Sequence, residues 1–168
     1  MYEKFLNEFD KKLAAYFERD AAAIKCKKGC TFCCENADYP LSLLEMKYLM
    51  QGFLKLDKSR HDRVRENIRN LMSRRTSVYP CPFLLDGECA VYAYRPLTCR
   101  IHGLGYLRSD GIVKLPECAK IGLNYSENFD GHSVDFEPIK EDLNLDKIFA
   151  AHPELEFGEI RSMIDWFC

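Results

Sequence analysis

The chain carries nine cysteines, and eight of them fall into two groups: Cys26-Lys-Lys-Gly-Cys30-Thr-Phe-Cys33-Cys34, then Cys81, Cys89, Cys99 and Cys118. Sulfur at this density suits metal. A thiolate pair two or three residues apart can grip one ion, and a glycine between them, here Gly29, relieves the backbone and turns amides toward sulfur. The competing explanations are buried reduced thiols and disulfides. A chain of 168 residues can build a core without cross-links, so clustered cysteines in a chain whose start lacks a secretory pattern point to metal.

Eight sulfurs allow more than one assignment. Two four-thiolate sites would use all of them, each with a net charge of about −2 if filled by divalent zinc. One four-iron cluster would use four and leave a second group for zinc, redox exchange or holding a substrate. An iron-sulfur cluster, in its 4Fe-4S form before others, or zinc is the expected cofactor. Cys33 and Cys34 are adjacent, and successive side chains of extended backbone alternate in direction. The pair is therefore expected to serve different metal atoms, or to supply one ligand only.

Lys25, Lys27, Lys28, Arg95 and Arg100 flank cysteines and could offset the negative charge of metal-bound thiolates; a solvated surface is the plainer reading. His102 follows Cys99 with two residues between them, a spacing that allows ligation or a hydrogen bond to the cluster, although nearness in a loop explains it as well. His61, His132 and His152 have no partner at metal spacing and are expected at the surface. Arg95-Pro96 fits a tight turn, its guanidinium on a carboxylate or an anion. Cys168 reads as a spare thiol, and Trp166 as an anchor to the core.

The elements that position these groups are mostly helical. Phe5, Phe9, Leu13, Tyr16 and Phe17 recur at helical spacing and predict an amphipathic helix from Tyr2 to Ile24. Ser42 and Glu45 form a capping-box pattern that opens a second helix, running to about Leu56. Val64, Ile68, Leu71 and Met72 mark a third. Its remaining faces are basic (Arg60, Arg63, Arg65, Arg69, Arg74 and Arg75), yet Asp57, Asp62 and Glu66 intersperse them and permit ordinary surface pairs. Between Tyr79 and Cys118 the pattern changes to short apolar runs joined by Asp86-Gly87 and by Ser109-Asp110-Gly111, two hairpin signals. Two last helices are expected near Ile139 to Ala150 and Leu155 to Phe167. The fold class is thus α+β, mostly helical, with helices packed around a loop-rich cysteine site and two short β-hairpins. A single domain of residues 1–168 is expected, with the metal-binding core at about 24–118 and a C-terminal helical extension at about 139–168.

A formal net charge of −2 gives no global field toward nucleic acid or an anionic membrane. The first ten residues mix charges into their apolar positions, unlike a signal peptide, and no apolar run is long enough to span a bilayer. A cytoplasmic protein is expected, with a protein partner or substrate and neither a membrane nor nucleic acid.

Taken in order, Cys26 to Cys34, Cys81-Pro82-Phe83-Leu84, Cys89-Ala90-Val91-Tyr92, Arg95-Pro96 and Cys99-Arg100 resemble the CxxCxxCC cysteine-cluster family. That family is also called YkgJ-type and is described as a zinc- or iron-chelating domain. The resemblance covers about Ile24 to Cys118 and departs at one point: three residues separate Cys26 from Cys30 where the family's short name has two. It implies metal at the cysteines. The flagellin lysine N-methylases, which have a related cluster, extend the implication to iron-sulfur and protein modification. The chain itself shows no Gly-rich strand-to-helix turn of the kind that cradles an adenosyl cofactor. Three functions fit: a metal centre supporting redox or modifying chemistry, an interaction module with purely structural zinc, and a thiol-based metal carrier.

Overall fold

The computed structural model describes residues 1–168 apart from 28, 37–38, 75–77 and 131–132; Lys28, Arg75 and His132 therefore lie outside the described residues. The fold is mostly helical α+β. In chain order the elements are α1 (Tyr2–Arg19), α2 (Phe32–Glu35), β1 (Pro40–Ser42), α3 (Leu43–Leu54), α4 (Lys58–Arg74), β2 (Leu84–Leu85), β3 (Glu88–Cys89), α5 (Leu97–Ile101), β4 (Tyr106–Leu107), β5 (Val113–Lys114), α6 (Leu145–Ala151) and β6 (Ile160–Ser162). Short 3-10 turns join several of them. Among the described residues no helix is long and apolar enough to cross a membrane.

The chain forms two compact units, each assembled from two stretches: Met1–Lys27 with Arg100–Leu155, and Lys28–Cys99 with Glu156–Cys168. In the first unit α1 buries Tyr2, Leu6, Phe9 and Leu13; of the predicted stripe, Phe9 and Leu13 are buried, while Phe5, Tyr16 and Phe17 are half-buried. The helix stops at Arg19, short of Ile24, where the Asp20 carboxylate accepts from Arg19 and, at 2.7 Å, from the Tyr125 hydroxyl. Hairpin β4–β5 forms around the expected Ser109-Asp110-Gly111 turn. The segment after it docks by backbone bonds, Leu107 N–H to Ile139 O at 2.7 Å and Ile139 N–H to Gly105 O at 3.1 Å. Those bonds hold residue 139 extended, so the helix expected at Ile139 to Ala150 is confined to α6, seven residues long.

The second unit packs α3 and α4 over Leu41, Phe83, Leu85, Val91 and Met163. Its capping box is present as read: Ser42 Oγ accepts from Glu45 N–H, and the Glu45 carboxylate accepts from Ser42 N–H. Glu45 is 1% exposed, and its other carboxylate oxygen accepts the Leu97 N–H at 2.9 Å, tying the start of α3 to the start of α5. Gly52 lets the Tyr94 ring lie against α3; a Cβ there would stand 2.5 Å from Tyr94 Cγ. Hairpin β2–β3 turns through Asp86-Gly87, both at positive φ, as that pair of residues favours.

The helix expected at Leu155 to Phe167 does not form. Glu156 and Gly158 take positive φ, which ends helical continuation. The next residues spend their backbone bonds across a sheet: β6 pairs antiparallel with β1, Ile160 opposite Ser42. Trp166 anchors the tail as expected, its indole N–H donating to Leu41 O at 3.1 Å.

Candidate metal centre

Six of the eight candidate cysteines belong to the second unit: Cys30, Cys33, Cys34, Cys81, Cys89 and Cys99. Gly29, at φ +88°, makes the turn that leads into them. Cys33 and Cys34 sit on α2, a single helical turn held by Cys34 N–H and Glu35 N–H bonds to Thr31 O. The neighbouring Cys34 thiol favours the protonated form of Cys33. The backbone here is helical where the reading of the pair presumed it extended, and on a helix neighbours stand about 100° apart.

A backbone bond joins the two cysteine groups, Cys81 N–H to Cys34 O at 2.6 Å. The Leu84 N–H bonds back to Cys81 O at 3.0 Å, and the peptide N–H groups of Phe83 and Val91 favour the thiolates of Cys81 and Cys89. Both cysteines pack against the apolar cluster of this unit. Cys33, Cys81, Cys89 and Cys99 lie within one another's fields. Burial pushes the Cys81 thiol up to about 12 against an ordinary value of 9.0, and its neighbours Cys89 and Cys33 add to the effect. Burial raises Cys99 still more clearly, with Cys81, Cys89 and Cys33 adding and Arg95 opposing. Cys33 is raised first by the Cys34 thiol and then by burial. Each of these thiols, enclosed beside the others, resists ionisation.

Arg95 is the flanking base whose field reaches this set, lowering both Cys89 and Cys99 while its guanidinium stacks 3.9 Å from the Tyr92 ring centroid. Other flanking bases have different partners: Lys25 pairs with Glu127 at 2.9 Å and Arg100 with Asp10, while Lys27 is exposed. Sequence reasoning missed Tyr39. Its hydroxyl donates to Cys33 O at 2.8 Å, and its phenol feels Cys33, Cys99, Cys34 and Cys81. A lone tyrosine outside any spacing pattern gives no signal of this kind.

In the first unit stand Cys26, exposed, and Cys118, buried. Asn124, a second residue that sequence reasoning missed, donates through Nδ2 to Cys26 Sγ at 3.0 Å. Burial lowers the basicity of His102, with Lys114 adding to the effect. Two histidines expected at the surface are half-buried on rings instead, His61 4.2 Å from Phe53 and His152 4.7 Å from Phe5. The basic face of α4 makes the expected surface pairs, Lys58 with Asp62, Arg60 with Asp57, Arg69 with Glu66 and Arg63 with Asp86. Cys168 is exposed beside Met72.

None of the nine cysteines is in a disulfide. Among the described residues no three His, Cys, Asp or Glu side chains stand where they could share one ion. The comparisons add a family. The CxxCxxCC model, with the description "Putative zinc- or iron-chelating domain", matches residues 25–119, a stretch that contains all eight candidate cysteines. Neither the curated proteins nor the solved structures gave a match.

Proposed function

The chain belongs to the CxxCxxCC family of zinc- or iron-chelating domains, and from that premise we propose that Cys33, Cys81, Cys89 and Cys99 form a four-thiolate centre for a 4Fe-4S cluster. Zinc is the other occupant that the same donors accept. Metal binding is the function at family level. The observation that supports this reading is the backbone bond from Cys81 N–H to Cys34 O at 2.6 Å, which brings the two cysteine groups to one place, with Cys81 and Cys89 packed on the same apolar cluster. Peptide N–H groups near such sulfurs stabilise thiolates and tune the potential of an iron-sulfur centre.

Coordination requires the thiols to lose their protons and turn inward. Apparent metal-binding free energies of about 10–16 kcal/mol for thiolate zinc sites are ample for a few side-chain rotations. Arg95 offsets part of the resulting negative charge, Tyr39 fixes the carbonyl of Cys33, and the apolar cluster behind Cys81 and Cys89 limits water. Cys34 flanks the set as an additional sulfur. When bound, an iron cluster would supply one-electron chemistry, and this chain's residues supply the thiolates and their surroundings. A partner-binding role for α4 draws less support, since Lys58, Arg60, Arg63 and Arg69 are engaged with neighbouring carboxylates.

The test is an absorbance spectrum of protein purified without oxygen, with iron, zinc and acid-labile sulfide assayed on the same sample. A broad visible thiolate-to-iron band with matching sulfide is expected. Colourless protein with stoichiometric zinc overturns the cluster. Protein with neither metal, and none after reconstitution, overturns the metal reading.

A further inference from the structure

We propose that the outer face of α3, together with the turn at residues 92–95, is a docking surface for an acidic segment of a partner protein, placed beside the metal centre. The placement rests on the metal reading above; the surface itself does not. Both segments belong to the second unit. Tyr94 seats the turn on α3. Its ring centroid lies 5.0 Å from that of Tyr48 and 4.8 Å from Lys55 Nζ, and Gly52 leaves the room it needs. Tyr48, Gly52 and Lys55 fall at i, i+4 and i+7, one row of the helix. Lys47, Gln51 and Leu54 form the next row at the same spacing, and all three are exposed.

This face offers both parts of a protein contact, apolar anchors and charge of one sign. Leu54 is 73% exposed and Tyr92 65%, large side chains that the fold leaves in water. The charged residues of 43–56 and 90–99 are Glu45, Lys47, Lys55 and Arg95. Glu45 is enclosed, with its carboxylate committed to Ser42 and Leu97, so these segments turn Lys47 and Lys55 to solvent with Arg95 half-buried beside Tyr92. α4 intersperses its bases with Asp62 and Glu66, whereas the two outer rows of α3 hold bases and no acid. Charge complementarity therefore favours an acidic occupant, and Leu54 with Tyr92 favours one that carries apolar side chains. A guanidinium stacked on a ring, as Arg95 is on Tyr92, is weakly hydrated and held in one place, which suits it to a partner's carboxylate. The charge of Arg95 also reaches Cys89 and Cys99. A carboxylate drawn to Arg95 would take up charge that Arg95 otherwise lends to those sulfurs.

The experiment measures binding of a fluorescein-labelled peptide of glutamate and leucine to full-length protein purified without oxygen, with a peptide of glutamine and leucine as the uncharged control. The acidic peptide is expected to bind, less tightly as salt rises, and the control to bind at least about 10-fold more weakly. Tyr92→Ala, at an exposed position, is expected to weaken binding by about 10-fold or more. Lys47→Gln combined with Lys55→Gln is expected to flatten the salt dependence. Arg65→Gln combined with Arg69→Gln on α4 should change neither. No binding of the acidic peptide, or wild-type affinity after both Tyr92→Ala and the lysine pair, overturns the proposal. So does loss of binding through the α4 pair, preference for a single-stranded RNA over the peptide, or self-association of the protein that Tyr92→Ala abolishes. On metal-loaded protein the peptide is expected to shift the visible band of an iron centre, or the rate at which a chelator removes zinc. Binding that leaves both unchanged overturns the placement beside the centre. A wild-type protein that carries no metal, and takes none up, sinks the metal reading instead, and the peptide result then decides the surface alone.

Discussion

The two units treat cysteine in opposite ways. The second brings Cys33, Cys81, Cys89 and Cys99 from separate segments into one another's fields and packs Cys81 and Cys89 against an apolar cluster, with peptide N–H groups that favour their thiolates. The first holds its accessible sulfur singly, Cys26, and commits one enclosed side chain to it. Backbone donors come with the turn that makes them and survive most side-chain replacements. A side-chain donor is one substitution from loss. The second unit's sulfurs are therefore robust to changes around them and sensitive to changes in the cysteines themselves, and Cys26 is exposed to both.

That contrast can be broken most decisively at Cys81. Cys81→Ser is expected to remove essentially all metal from the second unit's set, whereas Cys168→Ser, at an exposed thiol, leaves metal content unchanged; metal analysis of both purified variants decides. Retention of metal by Cys81→Ser would dissolve the distinction between the units.

Next in size is pH. Cys81, whose thiol is pushed up to about 12 from 9.0, holds its proton throughout the neutral range and must give it up to bind. Cys99 and Cys33 are raised likewise. Affinity is thus lowest in acid and rises with pH. With up to four thiol protons displaced, the slope approaches about four decades per pH unit, measurable by chelator competition between pH 6 and 8. A flat profile would mean that these thiols do not bind.

Glu45→Ala probes the scaffold. It strips the acceptor from Ser42 N–H, Ser42 Oγ and Leu97 N–H in a site that water does not reach. The expected loss is roughly 3 kcal/mol or more in denaturant unfolding, with metal released faster because α5 carries Cys99. The smallest effect belongs to Tyr39→Phe, which deletes the bond to Cys33 O at a cost of about 1 kcal/mol. It should leave metal stoichiometry intact and shift the position of the metal's absorption band.

Much of this was legible in the sequence where local chemistry alone decides. The stripe of α1, the Ser42–Glu45 cap and the two hairpin turns need only near neighbours, and the ordered cysteines carried the family. What stayed hidden depends on residues far apart in the chain. The tail after Leu155 looked helical because its apolar spacing fits a helix, and only pairing with β1, more than a hundred positions earlier, makes it a strand. The helical turn that carries Cys33 and Cys34 has no signal in so short a segment. Asn124 and Tyr39 show their roles only through partners 98 and 6 residues away. The division into two units was hidden for the same reason, since each is built from two separate stretches.

The pairing of β1 with β6 also sets an order of events during synthesis. The six candidate sulfurs of the second unit, from Cys30 to Cys99, leave the ribosome before Ile160 exists. At about 5–20 residues per second, the roughly 60 residues between Cys99 and β6 take on the order of 3–12 s. For that interval the thiols are made but β1 has no partner strand, which gives the nascent chain a window for loading metal before its last strand closes the sheet.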